Sequence, residues 1–186
     1  MQRVLSVIIL SAAIVLASAP AARADGFISP FAGVTFANNS GDGHTNVGAD
    51  IGVMGRGVIG GELDLGYYPS FFGGQSLFGS NSVADVMGNL IIGVPAGGTH
   101  GPGVRPYAVA GLGLLRSTTT SPSQSNNELG FDIGAGVMGY FSHRVGLRGD
   151  VRYFRDVHDS STLNAASVGF GQFHFIRASI GVVFRP

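Results

Sequence analysis

Hydrophobic and polar residues alternate along this chain with a period of two, most clearly over VGLRGDVRYF, residues 145–154. Val145, Leu147, Gly149, Val151 and Tyr153 share one side of an extended strand. Arg144, Gly146, Arg148, Asp150 and Arg152 share the other, because successive side chains of a strand point to opposite faces. Residues 59–67 repeat the form, with Ile59, Gly61, Leu63, Leu65 and Tyr67 set against Gly60, Glu62, Asp64 and Gly66. One strand offers mainly arginine on its polar side and the other only acids. In a soluble sheet protein that polar side would face water. In a transmembrane barrel the oily side chains face lipid and the ions face the lumen.

The same alternation predicts eight strands, each near the roughly 9–11 residues with which a tilted strand crosses a bilayer. They fall at about 27–37, 46–56, 57–69, 82–94, 104–117, 127–140, 144–157 and 171–184. In the second, Asp50, Gly52, Met54 and Arg56 oppose Ala49, Ile51, Val53 and Gly55. In the sixth, Asp132, Gly134 and Gly136 oppose Phe131, Ile133, Ala135 and Val137. In the eighth, Arg177, Ser179 and Gly181 oppose Ile176, Ala178, Ile180, Val182 and Phe184. The first and fifth strands are apolar on both sides, apart from Arg105, and their faces stay open. Aromatic residues gather near strand ends: Phe36, Tyr67, Tyr68, Phe131 and Tyr153 at one rim, Tyr140, Phe141 and Phe184 at the other. Two such bands suit the interfacial girdles of a membrane barrel.

Connections alternate in character too. Short links lie near Arg56-Gly57 and Ser142-His143, with a middling one at 95–103. Longer polar ones lie at 38–45, 70–81, 117–126 and 158–170. Short turns at one end and long loops at the other is the arrangement of outer-membrane barrels, whose long loops lie outside the cell. With both termini periplasmic, every long connection falls on the extracellular side.

Composition narrows the choice. Arg3, the apolar run 4–17 and Ala22-Arg23-Ala24 have the form of a cleaved signal peptide over 1–24, leaving 25–186 as a single domain. Charged residues make up 12% of the chain, about half the one-quarter or so usual in soluble domains. Every base is arginine. The balanced net charge argues against a nucleic-acid partner. Cysteine is absent, which excludes disulfides and thiolate metal sites. The 31 glycines disfavour helices and suit crowded strands.

Chemistry within a barrel would centre on charge. Asp50, Glu62, Asp64, Arg105, Asp132, Arg148, Asp150, Arg152 and Arg177, joined by Asp85, would share a lumen just wide enough for side chains to fill. Buried ions need opposite partners, and the planar fork of arginine binds two acceptors at once. An arginine–carboxylate lattice plugging the lumen is therefore expected, as packing rather than as an ion gate. The five histidines have no clustered ligand spacing, although His44 and His158 could meet above the barrel. GAGVMG (134–139) has no helix after it and is no nucleotide loop. No cofactor or metal is expected.

The leader, the glycine-rich alternation, RPYAVAGLGLL (105–115) and VGLRGDVRYFRD (145–156) resemble the small outer-membrane β-barrel family. The likeness is to the barrel domain of outer-membrane protein A and to opacity- and adhesin-type proteins. It covers the chain after the leader. It implies an all-β fold, an eight-stranded antiparallel up-and-down transmembrane β-barrel. It also implies residence in the bacterial outer membrane, contact with lipid and lipopolysaccharide, and insertion by the barrel-insertion machinery. Members end in an aromatic insertion signal; Phe184 takes that place, although Arg185 and Pro186 follow it. The function implied is non-enzymatic, in envelope integrity or in contact with a host or surface ligand through the loops. Two other readings stay open. His158 and Ser160 resemble the His-x-Ser arrangement of lipid A deacylases, which would make the chain an outer-leaflet acyl hydrolase. A soluble periplasmic barrel carrying a hydrophobic ligand is the other.

Overall fold

The structure, a computed structural model, describes residues 24–37, 43–69, 81–97, 101–120, 123–156 and 174–186. Eight strands follow in order: β1 Ala24–Ala37, β2 Gly43–Gly55, β3 Ile59–Pro69, β4 Asn81–Gly93, β5 Gly103–Thr120, β6 Ser123–Tyr140, β7 Val145–Asp156 and β8 His174–Phe184. Each pairs antiparallel with the next, and β8 returns to β1. Closure leaves no sheet edge along the paired length, the one way a sheet can satisfy its backbone in lipid. The short links and the two strand termini Ala24 and Phe184 lie at one end, here the turn end. The long connections lie at the other, the loop end.

Alternation sorts the two faces cleanly. Leu147 and Ile180 are 44% and 64% exposed, whereas Arg148 and Arg177 are 3% and 0% exposed. The outer surface carries Ile28, Val34, Ile51, Leu90, Leu112, Ile133 and Val151 around the whole circumference. Such an apolar belt would be an association hazard in water and is the matching surface for acyl chains.

The two open faces are resolved by the register. On β1, Phe27, Ser29, Phe31 and Thr35 point inward; on β5, Arg105, Tyr107, Val109 and Leu115 do. Both faces of β5 read as apolar because part of the interior against which it packs is itself apolar.

Three expectations need correction. Tyr68 and Tyr140 are not girdle residues but are buried inside, in phase with Asp64 and Gly136 of their own strands. Phe36, Tyr67, Phe141 and Phe184 are exposed at the rims. Arg56 is not on the polar face of β2. It occupies the β2–β3 turn at φ 51°, followed by Gly57 at φ 69°, with Val58 N donating to Gly55 O at 3.0 Å. Two positive-φ residues between strands are what a type I′ hairpin turn requires. Gly57 is doubly constrained, since a Cβ there would collide with the Arg105 guanidinium. The third correction concerns 117–126, expected as a loop. Strands β5 and β6 run through most of it, pairing from Gly103↔Tyr140 to Thr120↔Ser123. Ser and Thr made the segment look like a turn, but the paired ladder satisfies their backbone.

Candidate functional site

The interior of the barrel is built in three layers. At the turn end, Phe27, Met54, Ile91, Tyr107, Val109, Met138, Tyr140 and Val183 form one apolar cluster. At the loop end, Tyr68, Val83, Met87, Leu115, Phe154 and Phe175 form another. Phe154 stacks on Phe175 with centroids 4.7 Å apart, and Tyr68 meets Phe175 edge-on at 5.3 Å. Between the two clusters lies a lattice of ions.

Three arginines run through that lattice. Arg148 faces the turn-end cluster, with its guanidinium 4.8 Å from the Tyr107 centroid. Its Nε donates to Tyr107 Oη at 2.7 Å, and its Nη1 lies 2.7 Å from Glu62 and 3.2 Å from Asp50. Arg152 sits in the middle. Its Nη2 donates to Glu62 at 2.8 Å, Asp150 at 3.0 Å and Asp50 at 3.3 Å, and its Nη1 reaches Asp64. Arg177 faces the loop-end cluster, 4.5 Å from the Phe31 centroid and 4.9 Å from that of Phe154. It grips Asp64 with both terminal nitrogens and donates to Tyr68 Oη at 3.0 Å. Such forked pairs are the strong kind of charge-assisted hydrogen bond.

Of the predicted lumen residues, Asp50, Glu62, Asp64, Asp132, Arg148, Asp150, Arg152 and Arg177 come together here. Asp85 joins them through Arg177 at 3.7 Å. Arg105 does not. It is buried at the turn end, where its Nη2 lies 3.8 Å from Asp25, beside Met54 and Tyr140. Sequence reasoning set Ser179 on the polar face of its strand but assigned no role to the neutral partners: Tyr107 and Ser179, which donate to Asp150 at 2.8 and 2.7 Å, and Asn89 beside Glu62. Their phase along the strand was the available signal.

Asp50, Glu62 and Asp64 offer oxygens within 4.8 Å of one another, a spacing that a metal ion could bridge. Arg148 and Arg152 already bind those carboxylates, so the donor set fits an ion-pair lattice better than a resident metal. His158 and Ser160, and any meeting of His158 with His44, lie outside the described residues.

Small residues make room for the lattice. A Cβ on Gly136 would collide with Tyr107 Oη, and one on Gly66 with Asp85 Oδ1. Large inward side chains of one strand thus sit where the next strand has none.

A closed eight-stranded wall, oily outside and ionic within, is an outer-membrane architecture, and comparison of the sequence decides the matter. Residues 9–184 match the outer membrane protein beta-barrel domain. The chain belongs to the outer-membrane β-barrel family. Family membership places it in the bacterial outer membrane as an integral barrel. Compared with the curated proteins, the sequence matches none. Among solved structures, Neisserial surface protein A superposes with a TM-score of 0.63 at 15% identity, over 88% of this chain and 99% of that one. The N-terminal barrel domain of Pseudomonas aeruginosa OprF gives 0.53 at 18% identity, over 88% and 100%. The attachment invasion locus protein Ail of Yersinia pestis, in complex with the heparin analogue sucrose octasulfate, gives 0.52 at 11% identity, over 87% and 98%. At such identities the likeness is one of fold.

Proposed function

We propose that this outer-membrane barrel is a non-enzymatic, non-conducting scaffold, with a plugged lumen and a role in envelope integrity or surface contact. The observation that carries the proposal is the layering of the interior. Apolar clusters close both ends of an ion lattice whose central side chains, Arg152 and Arg177, have no exposure. A permeating ion would have to break buried ion pairs and cross two apolar layers, each costly in a low-dielectric interior.

The loop end faces outward and both termini are periplasmic in this reading, which rests on the contrast between short and long connections. The connections that follow β1, β3 and β7, with the tip of the β5–β6 hairpin, then carry contact with a host or surface ligand. The heparin analogue held by Ail is an example of such a ligand on a barrel of this fold. Arg116 and Arg155, towards the loop-end tips of β5 and β7, suit the phosphates of lipopolysaccharide.

Signal-peptide cleavage after Ala24 would leave β1 essentially whole. Phe184, exposed at the end of β8, is the residue we assign to recognition by the barrel-insertion machinery. Arg185 does not extend that outward face. Its guanidinium stacks on the inward-facing Tyr140 at 3.4 Å from the ring centroid.

Purified protein in planar bilayers tests the proposal. Current indistinguishable from protein-free bilayers is expected; reproducible discrete conductance steps would refute the plug.

A further inference from the structure

Among the described residues, the closed lumen holds more negative than positive charge. Six carboxylates, those of Asp50, Glu62, Asp64, Asp85, Asp132 and Asp150, are buried at 6% exposure or less around the guanidiniums of Arg148, Arg152 and Arg177. Arg105 does not offset the excess, because its nearest carboxylate is that of Asp25 at the turn end. Charges removed from water without partners are strongly unfavourable, so an uncompensated excess in a sealed interior would oppose folding.

The shortage falls unequally. Asp50, Glu62, Asp64 and Asp150 each contact two guanidiniums. Asp85 and Asp132 have one apiece, at 3.7 and 3.6 Å, the longest pairs in the lattice. Asp85 is 2% exposed, and its hydrogen-bonding neighbours are the Tyr68 hydroxyl and the Asp64 carboxyl, not a base. Around Asp85 stand Asp64 and Tyr68 of β3 and Arg177 of β8, with its cross-strand neighbours Gly66 and Leu115 on either side. Around Asp132 stand Arg152 of β7, Asp64 and Glu62 of β3, and Arg177 of β8. The Asn89 amide, turned with its nitrogen toward β6, donates to Asp132 at 2.8 Å.

We propose that Asp85 forms a site that takes up positive charge from solution as the barrel closes, as a proton or as a small metal cation, with Asp132 a second such group elsewhere on the lattice. The site would complete the lattice: what the three guanidiniums leave unneutralised, the bound cation supplies. The proposal rests on the plugged-lumen reading, but a conductance measurement tests that reading separately from the experiment below.

The experiment uses the full chain folded in detergent at neutral pH. Infrared spectra in ordinary and heavy water report carboxylic acid groups, and elemental analysis after exhaustive dialysis reports retained metal. Asp85→Asn and Asp64→Asn are measured alongside. A carboxylic acid band that weakens in Asp85→Asn assigns the charge to protons; a stoichiometric metal lost in that variant assigns it to a cation. In either case Asp85→Asn, which removes the charge but keeps the shape, should stay folded on heating at least as well as the unchanged protein. Asp64→Asn, which strips Arg152 and Arg177 of a shared partner, should be weaker. Absence of both band and metal would overturn the proposal, as would an Asp85→Asn variant that is no more stable than Asp64→Asn. A silent bilayer with neither signal refutes this site alone; a conducting one with the band present refutes the plug alone.

Discussion

Arg152 and Arg177 stand directly opposite each other across the β7–β8 ladder, both without exposure, and both bind Asp64 on the far wall. Like charges in direct cross-strand register are ordinarily destabilising. Here Asp64 is itself the register partner of Asp50 on the β2–β3 ladder, so two like-charge pairs face each other across the lumen. Each pair is tolerable only because the other exists. The barrel wall supplies the spacing, and the interior is one network rather than a set of separate bridges.

Removal of the central member should therefore be severe. Arg152→Ala leaves Asp50, Glu62, Asp64 and Asp150 short of a partner, and loss of one side of a buried ion pair costs about 3–5 kcal/mol. Arg155→Ala, at the loop-end rim, should stay within about 0.5 kcal/mol of the parent. Equilibrium urea unfolding in lipid vesicles, read by circular dichroism, compares the two.

The strand faces were legible in the sequence because a period of two needs only a residue and its second neighbour. The aromatic positions were not, since a tyrosine suits a lipid interface and a packed lumen equally. Strand phase, counted from Glu62 and Asp64, places Tyr68 inside; residue type pointed the other way. Partner choice within the lattice was hidden for another reason. Glu62 meets Arg152 at a sequence separation of 90, and only the closed register decides which acid faces which base.

Glycine on the inner face is a space requirement with a measurable cost. A Cβ on Gly134 would lie 2.5 Å from Val151 O and 2.7 Å from Arg152 Cγ, whereas one on Gly139 meets nothing within 4 Å. Gly134→Ala should destabilise by about 1–3 kcal/mol, the usual penalty of overpacking. Gly139→Ala should be near neutral in the same unfolding measurement.

Orientation has its own test. An epitope inserted between Ser121 and Pro122, at the loop end, should bind antibody on intact cells. The same epitope inserted at His143, in the 141–144 turn, should bind only after the outer membrane is opened. The reverse result would turn the barrel over.

The acyl hydrolase reading makes a separate demand. If the barrel is a scaffold, Ser160→Ala leaves the acyl pattern of lipid A unchanged, as measured by mass spectrometry of extracted lipid A. A changed pattern would revive His158 and Ser160 as a catalytic pair.

Which face of the wall meets lipid separates a membrane barrel from a soluble one, and the chain contains no tryptophan, so one introduced residue is a clean reporter. Val151→Trp and Ile180→Trp place an indole at mid-strand on the outer face. In vesicles of lipids brominated along the acyl chain, the fluorescence of both should be strongly quenched, while an aqueous quencher such as iodide has little effect. Quenching by iodide with none by bromine would place those side chains in water and contradict the membrane barrel.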